Sequence, residues 1–208
     1  MHALPLRFAD FLRPERAVLV MWDMQNGLGG RAPDRAAIVE NARILIAAAG
    51  RRNIPVVWSR HIAPPLDLTA GPFKLWLMKK QKLEDPLQIQ PAMQRDTEEV
   101  AFIPELQPAP HHIVIEKSQP SFFVDTPLAV RLKAMDRDTL VIAGVATDIG
   151  IEFTCRHAAA LGYYSVVAED ASGAYTREAH ERSLAFLRSW TTPVASTAAI
   201  AAVWDTIS

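Results

Sequence analysis

The stretch LVIAGVATDIGIEFTCRHAAALGY, residues 140–163, decides the fold. It begins as a continuous apolar run, passes through the glycine-flanked segment GVATDIG (144–150), and continues with the mixed apolar and charged residues of a helix. A buried strand that runs through a short turn into a helix is the repeating unit of α/β proteins. We therefore predict a strand, a tight turn and then a helix over residues 148–162.

The same alternation extends along the chain. Nearly continuous apolar runs favour strands that are covered on both faces, as in parallel sheets. The six predicted strands lie at 17–23, 54–61, 112–117, 139–145, 164–170 and 193–197. The predicted helices lie at 34–52, 126–135, 148–162, 177–190 and 198–206. We predict one domain over residues 1–208, a three-layer α/β/α sandwich with a mainly parallel six-stranded sheet of the Rossmann-like kind.

Composition and charge exclude several classes of protein. The chain has 208 residues, is 50% hydrophobic and carries a net charge of -1, so it can form a substantial core but does not resemble a nucleic-acid-binding protein. No apolar run approaches the length of a membrane span. Cys155 is the only cysteine, which excludes an intramolecular disulfide, and the N-terminus lacks the pattern of a secretory signal. We expect a cytoplasmic protein with neither nucleic acid nor membrane as a partner.

The connection between the second and third strands, residues 62–110, is far longer than usual. Within it, FKLWLMKKQKL (73–83) places Phe73, Trp76 and Lys80 at helical spacing. Two interpretations stay open. The segment is a surface helix with one apolar stripe and a solvated basic face, or it is a lid or a dimer contact donated to a neighbour's pocket.

Charged residues close several predicted strands. In a doubly wound sheet, ligands bind beyond the carboxyl ends of the strands, where the strand order reverses. The first strand ends in Asp23 and the third in Lys117. An aspartate at the end of an apolar strand is costly to bury alone, and a lysine on the same sheet would compensate its charge. The pair is either a structural ion pair at the rim or a functional carboxylate held beside a cation.

The other predicted strand ends add polar groups. The second strand ends in Arg60 and His61, and the fifth in Glu169 and Asp170. The GVATDIG loop opens a helix whose first N–H groups lack internal partners, which favours an anion or oxyanion site. Thr147 or Asp148 is also a candidate N-cap of that helix, and both roles are compatible.

Three segments, in order and over nearly the whole chain, resemble the isochorismatase-like hydrolase superfamily, also called the cysteine hydrolases. They are VLVMWDMQNGL, FIPELQPAPHHIVIEKSQPSFF and LVIAGVATDIGIEFTCRHAAALGYYSVVAEDASGAYT. In the cysteine members the resemblance implies a catalytic aspartate, lysine and cysteine at the positions of Asp23, Lys117 and Gly150. A glycine cannot attack a carbonyl, so the departure from the family is at the nucleophile.

The resemblance also implies a cis peptide bond between Val145 and Ala146 and a backbone cradle for substrate or oxyanion at Val145, Ala146 and Thr147. Cys155 is a poor substitute nucleophile. Five helical residues turn the chain by about 140° and advance it by about 7.5 Å from position 150, so Cys155 should face the packing side. We expect a buried and inert thiol there.

Isochorismatases are among the members of the superfamily that have glycine at this position. The resemblance to them implies cleavage of a vinyl ether without a covalent enzyme intermediate. Asp23 would be the general acid, Lys117 its electrostatic partner, and Gly150 would leave room for substrate or water. The resemblance places Gln119 where isochorismatases have an arginine. Glutamine does not reproduce the bidentate grip of an arginine on a carboxylate, which disfavours isochorismate itself as the substrate. The alternatives are an amidase in which water replaces the thiol, and a non-catalytic ligand-binding relative.

No metal site or cofactor is predicted. A catalytic zinc needs three well-placed ligands, and His61 stands nearly alone at the second strand, so we interpret it as part of the pocket wall or rim. The resemblance implies a homo-oligomer that acts on a small-molecule substrate. The helix around Trp76 and the C-terminal AAIAAVWDTI (198–207) are the candidate contacts.

Overall fold

A computed structural model describes residues 2–190 and 192–207 of the chain. Within them, six strands form one parallel sheet flanked by seven α-helices, which confirms the predicted α/β/α class. The strands are β1 Ala17–Trp22, β2 Val56–His61, β3 Ile113–Lys117, β4 Thr139–Val145, β5 Tyr164–Gly173 and β6 Val194–Ala195. The helices are α1 Phe8–Phe11, α2 Arg35–Arg51, α3 Gly71–Gln81, α4 Leu128–Ala134, α5 Glu152–Ala160, α6 Arg177–Ser189 and α7 Thr197–Thr206. The predicted domain of residues 1–208 also includes Met1, Thr191 and Ser208, which lie outside the described residues.

The strand order is β3-β2-β1-β4-β5-β6, and every neighbouring pair is parallel. The order reverses between β1 and β4, which makes this the switch point where an α/β sheet opens a crevice for a ligand. Asp23 follows β1 and Val145 ends β4. The two predicted site segments therefore lie side by side at the switch point.

Both faces of the sheet are covered. Helices α2 and α7 pack on one face, and α4, α5 and α6 pack on the other. All six residues of β1 are buried. Burial on both faces explains why the strands read as continuous apolar runs rather than alternating ones. Gly144 on β4 has φ +131 and lies so close to the backbone of Trp22 that no side chain fits between them.

The fifth strand does not end where the sequence predicted. It continues to Gly173, because the β4–β5 pairing shifts register between Ile142 and Gly144 and then resumes. Glu169 forms an ion pair with Arg188, and Asp170 accepts hydrogen bonds from both the backbone N and the side-chain Oγ1 of Thr197, each at 2.7 Å. These carboxylates therefore hold α6 and α7 on the sheet and do not end a strand at the ligand crevice.

The long connection 62–110 contains α3, in the place where helical spacing predicted a surface helix. Every residue of α3 is at least partly exposed, including Trp76 at 40%. Lys80 Nζ lies 4.9 Å from the centre of the Trp76 ring and 5.7 Å from that of Tyr175, beyond the end of β5. Helix α3 therefore borders the carboxyl edge of the sheet, and its role as a lid or dimer contact stays a prediction.

The prediction that the C-terminal segment 198–207 forms an oligomer contact is wrong for its large apolar residues. Ile200 and Trp204 of α7 are buried in the core of their own chain, and Trp204 Nε1 donates to Leu12 O at 2.9 Å. Homo-oligomerisation itself stays a prediction. No helix within residues 2–190 and 192–207 has the length and apolar character to cross a membrane.

Candidate active site

Asp23 and Lys117 meet at the switch point. Lys117 Nζ donates to Asp23 Oδ2 at 2.7 Å, and both residues are buried, with exposed fractions of 6% and 5%. Asp23 adopts φ +45, a left-handed conformation that aspartate tolerates better than most residues, and this turn carries the chain out of the sheet directly after β1. The pair is therefore a contact ion pair in a water-poor setting.

Ser59 completes the carboxylate environment. Its Oγ donates to Asp23 Oδ1 at 2.5 Å and accepts from the Asp23 backbone N at 2.9 Å. Each oxygen of the Asp23 carboxylate thus has one donor, and each keeps a second lone pair for a water or a substrate. Sequence reasoning missed Ser59. The available signal was a lone hydroxyl within the apolar run of the second strand.

The expected cis peptide between Val145 and Ala146 is present. The residues after it, Thr147–Ile151, form a π-helical turn that leads into α5, and Ala146 is the N-cap. The suggestion that Thr147 or Asp148 caps this helix is wrong. Thr147 Oγ1 instead donates to Gly173 O at 2.9 Å and lies 2.9 Å from His180 Nδ1, so it ties the turn to β5 and α6. The first backbone N–H groups of the turn lack intrahelical partners, so they stay the candidates for the predicted cradle.

Gly150 does not leave room for substrate, contrary to the sequence-based expectation. A Cβ atom built on Gly150 would lie 2.5 Å from both Cε2 and Cζ2 of Trp22, with Nε1 at the same edge of the indole. These distances are too short for any non-bonded contact, so a side chain at position 150 and the observed Trp22 ring exclude each other. The indole occupies the space where a side chain at position 150 would begin.

Two aromatic contacts hold the Trp22 indole. Lys117 Nζ lies 4.6 Å from the ring centre, and the Phe122 ring packs edge-to-face at 5.4 Å. Because Lys117 also binds Asp23, its ammonium group lies between a carboxylate and an aromatic face, both of which stabilise a cation. Trp22 therefore belongs to the site, although no sequence pattern pointed to it.

His61 ends β2 and pairs in register with Lys117 on β3. Its backbone N donates to Gln25 Oε1 at 2.7 Å, and Gln25 Nε2 donates back to His61 O at 3.0 Å. Burial, together with the positive charge of Lys117, lowers the pKa of His61 to about 4. At neutral pH the imidazole is therefore uncharged and offers one donor and one acceptor beside the ion pair.

The remaining candidates lie in different surroundings. Gln119 is partly buried in the loop after β3. Cys155 is fully buried, and desolvation raises the pKa of its thiol to about 12, in keeping with the expected inert thiol. Tyr175, which the sequence did not single out, follows β5, and its pKa is raised to about 12 by burial and by the nearby charge of Asp23.

A cleft of about 450 Å³ opens beside Lys117, between the segments that follow β2 and β3. Arg95 lines it but is engaged by Glu116, with nitrogen–oxygen distances of 3.2 and 2.7 Å. Across the part of the chain that the structure describes, no three His, Cys, Asp or Glu side chains converge as a metal site.

Comparison with known proteins identifies the family. The isochorismatase domain matches residues 17–199. Ureidoacrylate amidohydrolase RutB from Methylorubrum extorquens is 31% identical over 173 residues, which cover 76% of this chain and 70% of that protein.

Solved structures show the same fold. A cysteine hydrolase from Pseudomonas syringae superposes with a TM-score of 0.81 at 22% identity and covers 99% of each chain. N-carbamoylsarcosine amidase from Thermoplasma acidophilum superposes with a TM-score of 0.71 at 24% identity, over 88% of this chain and 96% of that one. By its domain, its fold and its curated relative, the chain belongs to the isochorismatase family of hydrolases.

Proposed function

We propose that the protein hydrolyses a small molecule through acid–base chemistry of Asp23 and Lys117, without a cysteine nucleophile, and that an enol ether is the preferred class of substrate. One observation carries the proposal. The buried Asp23–Lys117 pair is complete, while the Trp22 indole fills the space at Gly150 that a nucleophilic side chain would need. Proton transfer and water addition are the chemistry that such a site retains.

Enol-ether cleavage needs only proton transfer and water addition, the two steps that such a site retains. Asp23 in its protonated form donates a proton to the terminal carbon of the enol ether, and the double-bond electrons form the new C–H bond. The resulting oxocarbenium carbon takes up a water, whose proton returns to Asp23. The hemiketal then releases the alcohol and leaves a carbonyl. Lys117 and Ser59 stabilise the carboxylate that exists between the two proton transfers, because each donates to one of its oxygens.

The turn after β4 supplies the second part of the proposed site. Its first N–H groups, around Ala146 to Gly150, lack partners within the helix and would bind a carboxylate or carbonyl oxygen of the substrate. His61 is uncharged at neutral pH, so it adds a polar contact without competing with Lys117 for a negative charge. Gln119, in the loop after β3, would add a neutral donor and acceptor.

Hydrolysis of an amide or ureido bond is the second candidate. It is supported by the relatives, since one is named a ureidoacrylate amidohydrolase and one structural neighbour an N-carbamoylsarcosine amidase. Here Asp23 would act as a base on water. We expect such a reaction to be slower than in a thiol enzyme, because water must attack in a single difficult step that covalent catalysis divides in two.

A turnover screen by mass spectrometry tests the proposal. It pairs enol ethers with small amides and ureido compounds, and compares the wild type with Asp23→Asn. The exposed Asp67→Asn is the matched control. We expect the wild type and Asp67→Asn to cleave an enol ether and Asp23→Asn to lose at least about 100-fold in rate.

The other outcomes separate the alternatives. Cleavage of amides alone by the wild type would replace the enol-ether assignment with the amidase one. A compound that raises the melting temperature but is recovered unchanged would instead indicate a ligand-binding protein. A cytoplasmic location and a homo-oligomeric state go with the proposal, and light scattering after size exclusion tests the latter.

A further inference from the structure

Arg60, near the end of β2, is a partly buried arginine with an unpaired donor. Its Nε is shielded from water and has no hydrogen-bond acceptor within residues 2–190 and 192–207. The ion pair of Arg60 with Glu116 joins Nη1 to Oε1 over 3.9 Å, which is longer than a hydrogen bond. Burying a donor without an acceptor costs free energy, and a ligand that the guanidinium group binds would explain why this arginine stays unpaired.

Aromatic packing holds the guanidinium group in place. Its central carbon lies 4.8 Å from the centre of the Phe102 ring, and that ring packs edge-to-face against the buried Trp58 at 5.3 Å. A cation–π contact stabilises the positive charge but supplies no oxygen acceptor, so the N–H donors of the group stay available. Arg60 is therefore a fixed cation that still needs an acceptor.

The neighbouring carboxylates do not meet that need. Glu116, the register partner of Arg60 on β3, accepts from Arg95 through both of its oxygens, at 3.2 and 2.7 Å. The two guanidinium groups together carry one positive charge more than the carboxylate between them. Asp96 is exposed in the surface loop, where water solvates its charge. The arrangement thus leaves Arg60 as the cation that an added anion would bind.

Arg60 also lines a cleft. Its side chain is 35% exposed and borders a space of about 260 Å³ together with Arg95 and Glu116. This cleft shares Ile62, Arg95 and Glu116 with the cleft of about 450 Å³ beside Lys117, so the two adjoin. A molecule that occupies the cleft beside Lys117 can therefore extend to Arg60.

We propose that Arg60 binds a carboxylate group of the substrate and is a specificity-determining residue. This rests on the proposed function, because the same substrate must reach Lys117. A planar guanidinium group matches the two oxygens of a carboxylate. Arg60 is in register with Glu116, the residue before Lys117, so side-chain alternation directs Arg60 and Lys117 to opposite faces of the sheet. The bound carboxylate is thus remote from the atoms that react, and the protein selects small molecules that carry one there.

A titration of the ¹⁵N-labelled protein tests the binding. Butyrate is the probe, and butyramide is its neutral counterpart of similar size. The readout is the backbone amide signals of Ile62 and Thr97, which line the cleft of Arg60. We expect saturable shifts with butyrate and none with butyramide. Arg60→Gln should abolish them, whereas Arg182→Gln, at an exposed position of α6, is the matched control and should keep them.

Three results would overturn the inference. They are equal shifts with butyrate and butyramide, shifts that persist in Arg60→Gln, and no shift at the highest butyrate concentration that the folded protein tolerates. If Arg60→Gln does not fold, Arg60→Lys takes its place. We expect Arg60→Lys to weaken butyrate binding at least about 5-fold, because an ammonium group cannot bind two oxygens side by side. An unchanged affinity in Arg60→Lys would also contradict the inference.

A kinetic comparison adds a second readout. Each carboxylate compound that the turnover screen finds is compared with an analogue that has a hydroxymethyl group in place of the carboxylate. We expect the wild type to favour the carboxylate by about 10- to 100-fold in kcat/KM, as for hydrogen bonds to a charged group. Arg60→Gln should lose this preference, mainly through KM, and Arg182→Gln should keep it.

The two proposals fail in different ways. A preference for the carboxylate that survives in Arg60→Gln would contradict the role of Arg60 and leave the chemistry of Asp23 and Lys117 intact. A wild type that turns over no compound would count against the proposed function, while the titration with butyrate would still decide whether Arg60 binds a carboxylate.

Discussion

The indole of Trp22 and the backbone of Gly150 are complementary: two ring carbons lie 2.5 Å from where a Cβ of residue 150 would stand. The glycine and the tryptophan therefore form a matched pair at the centre of the site. A side chain at position 150 therefore requires a smaller residue, or a displaced ring, at position 22.

Gly150→Ala should destabilise the protein by about 1–3 kcal/mol, the usual effect of overpacking a well-packed site. Chemical denaturation measures the free energy of unfolding. In a Trp22→Leu background the same change should be close to neutral, because the obstructing ring is gone. Gly50→Ala is the control, since a Cβ at Gly50 meets no atom within 4 Å. Equal effects of Gly150→Ala in both backgrounds would show that the two residues do not compete for space.

Gly150→Cys alone should not restore thiol chemistry. The double variant Trp22→Leu/Gly150→Cys should carry a thiol that iodoacetamide alkylates rapidly at neutral pH, because the ammonium group of Lys117 stabilises a thiolate beside it. Peptide mapping after alkylation distinguishes this site from Cys155, whose thiol has a pKa raised to about 12 by burial and should stay unmodified in the folded protein. The prediction is contradicted if the single variant reacts as fast as the double one.

Lys117→Met should cost about 3–5 kcal/mol in the free energy of unfolding, because it leaves the Asp23 carboxylate buried without its counter-ion. Urea denaturation gives this value. The exposed Lys133→Met on α4 makes the same chemical change at the surface and should lie within about 0.5 kcal/mol of the wild type. A similarly small effect at Lys117 would mean that the pair is solvated rather than buried.

The half-buried His61 should make the protein less stable in acid. Its pKa is about 4 in the folded state against the model-peptide value of 6.5, so the unfolded chain binds more protons in this interval. Its contribution is complete above about pH 6.5 and is lost as the pH falls through 6.5 towards 4. Denaturation curves for wild type and His61→Gln at several pH values should therefore converge on acidification. Parallel curves over this interval would refute the assignment.

Much of the fold followed from the sequence because continuous apolar runs have one good explanation in a chain of this length, a sheet covered on both faces. The end of β5 did not follow, since a register shift against β4 depends on the pairing of two strands and not on either strand alone. The helix after β4 was predicted, but its π-helical first turn was not.

The candidate site was predictable where a charge ends an apolar strand, as at Asp23 and Lys117. Ser59 and Trp22 were not found. The role of Ser59 depends on a contact between neighbouring strands. The sequence around a serine within a strand does not indicate such a contact. The exclusion of space at Gly150 by Trp22 joins residues far apart in the sequence. Such steric complementarity becomes visible only when the two segments are placed side by side.

The most direct test of the central claim is the turnover of an enol ether in heavy water, followed by mass spectrometry of the carbonyl product. If Asp23 protonates carbon, the wild type places one carbon-bound deuterium in the product, and Asp23→Asn loses at least about 100-fold in rate. Product without carbon-bound deuterium, or an Asp23→Asn variant as fast as the wild type, would contradict acid–base cleavage by the Asp23–Lys117 pair.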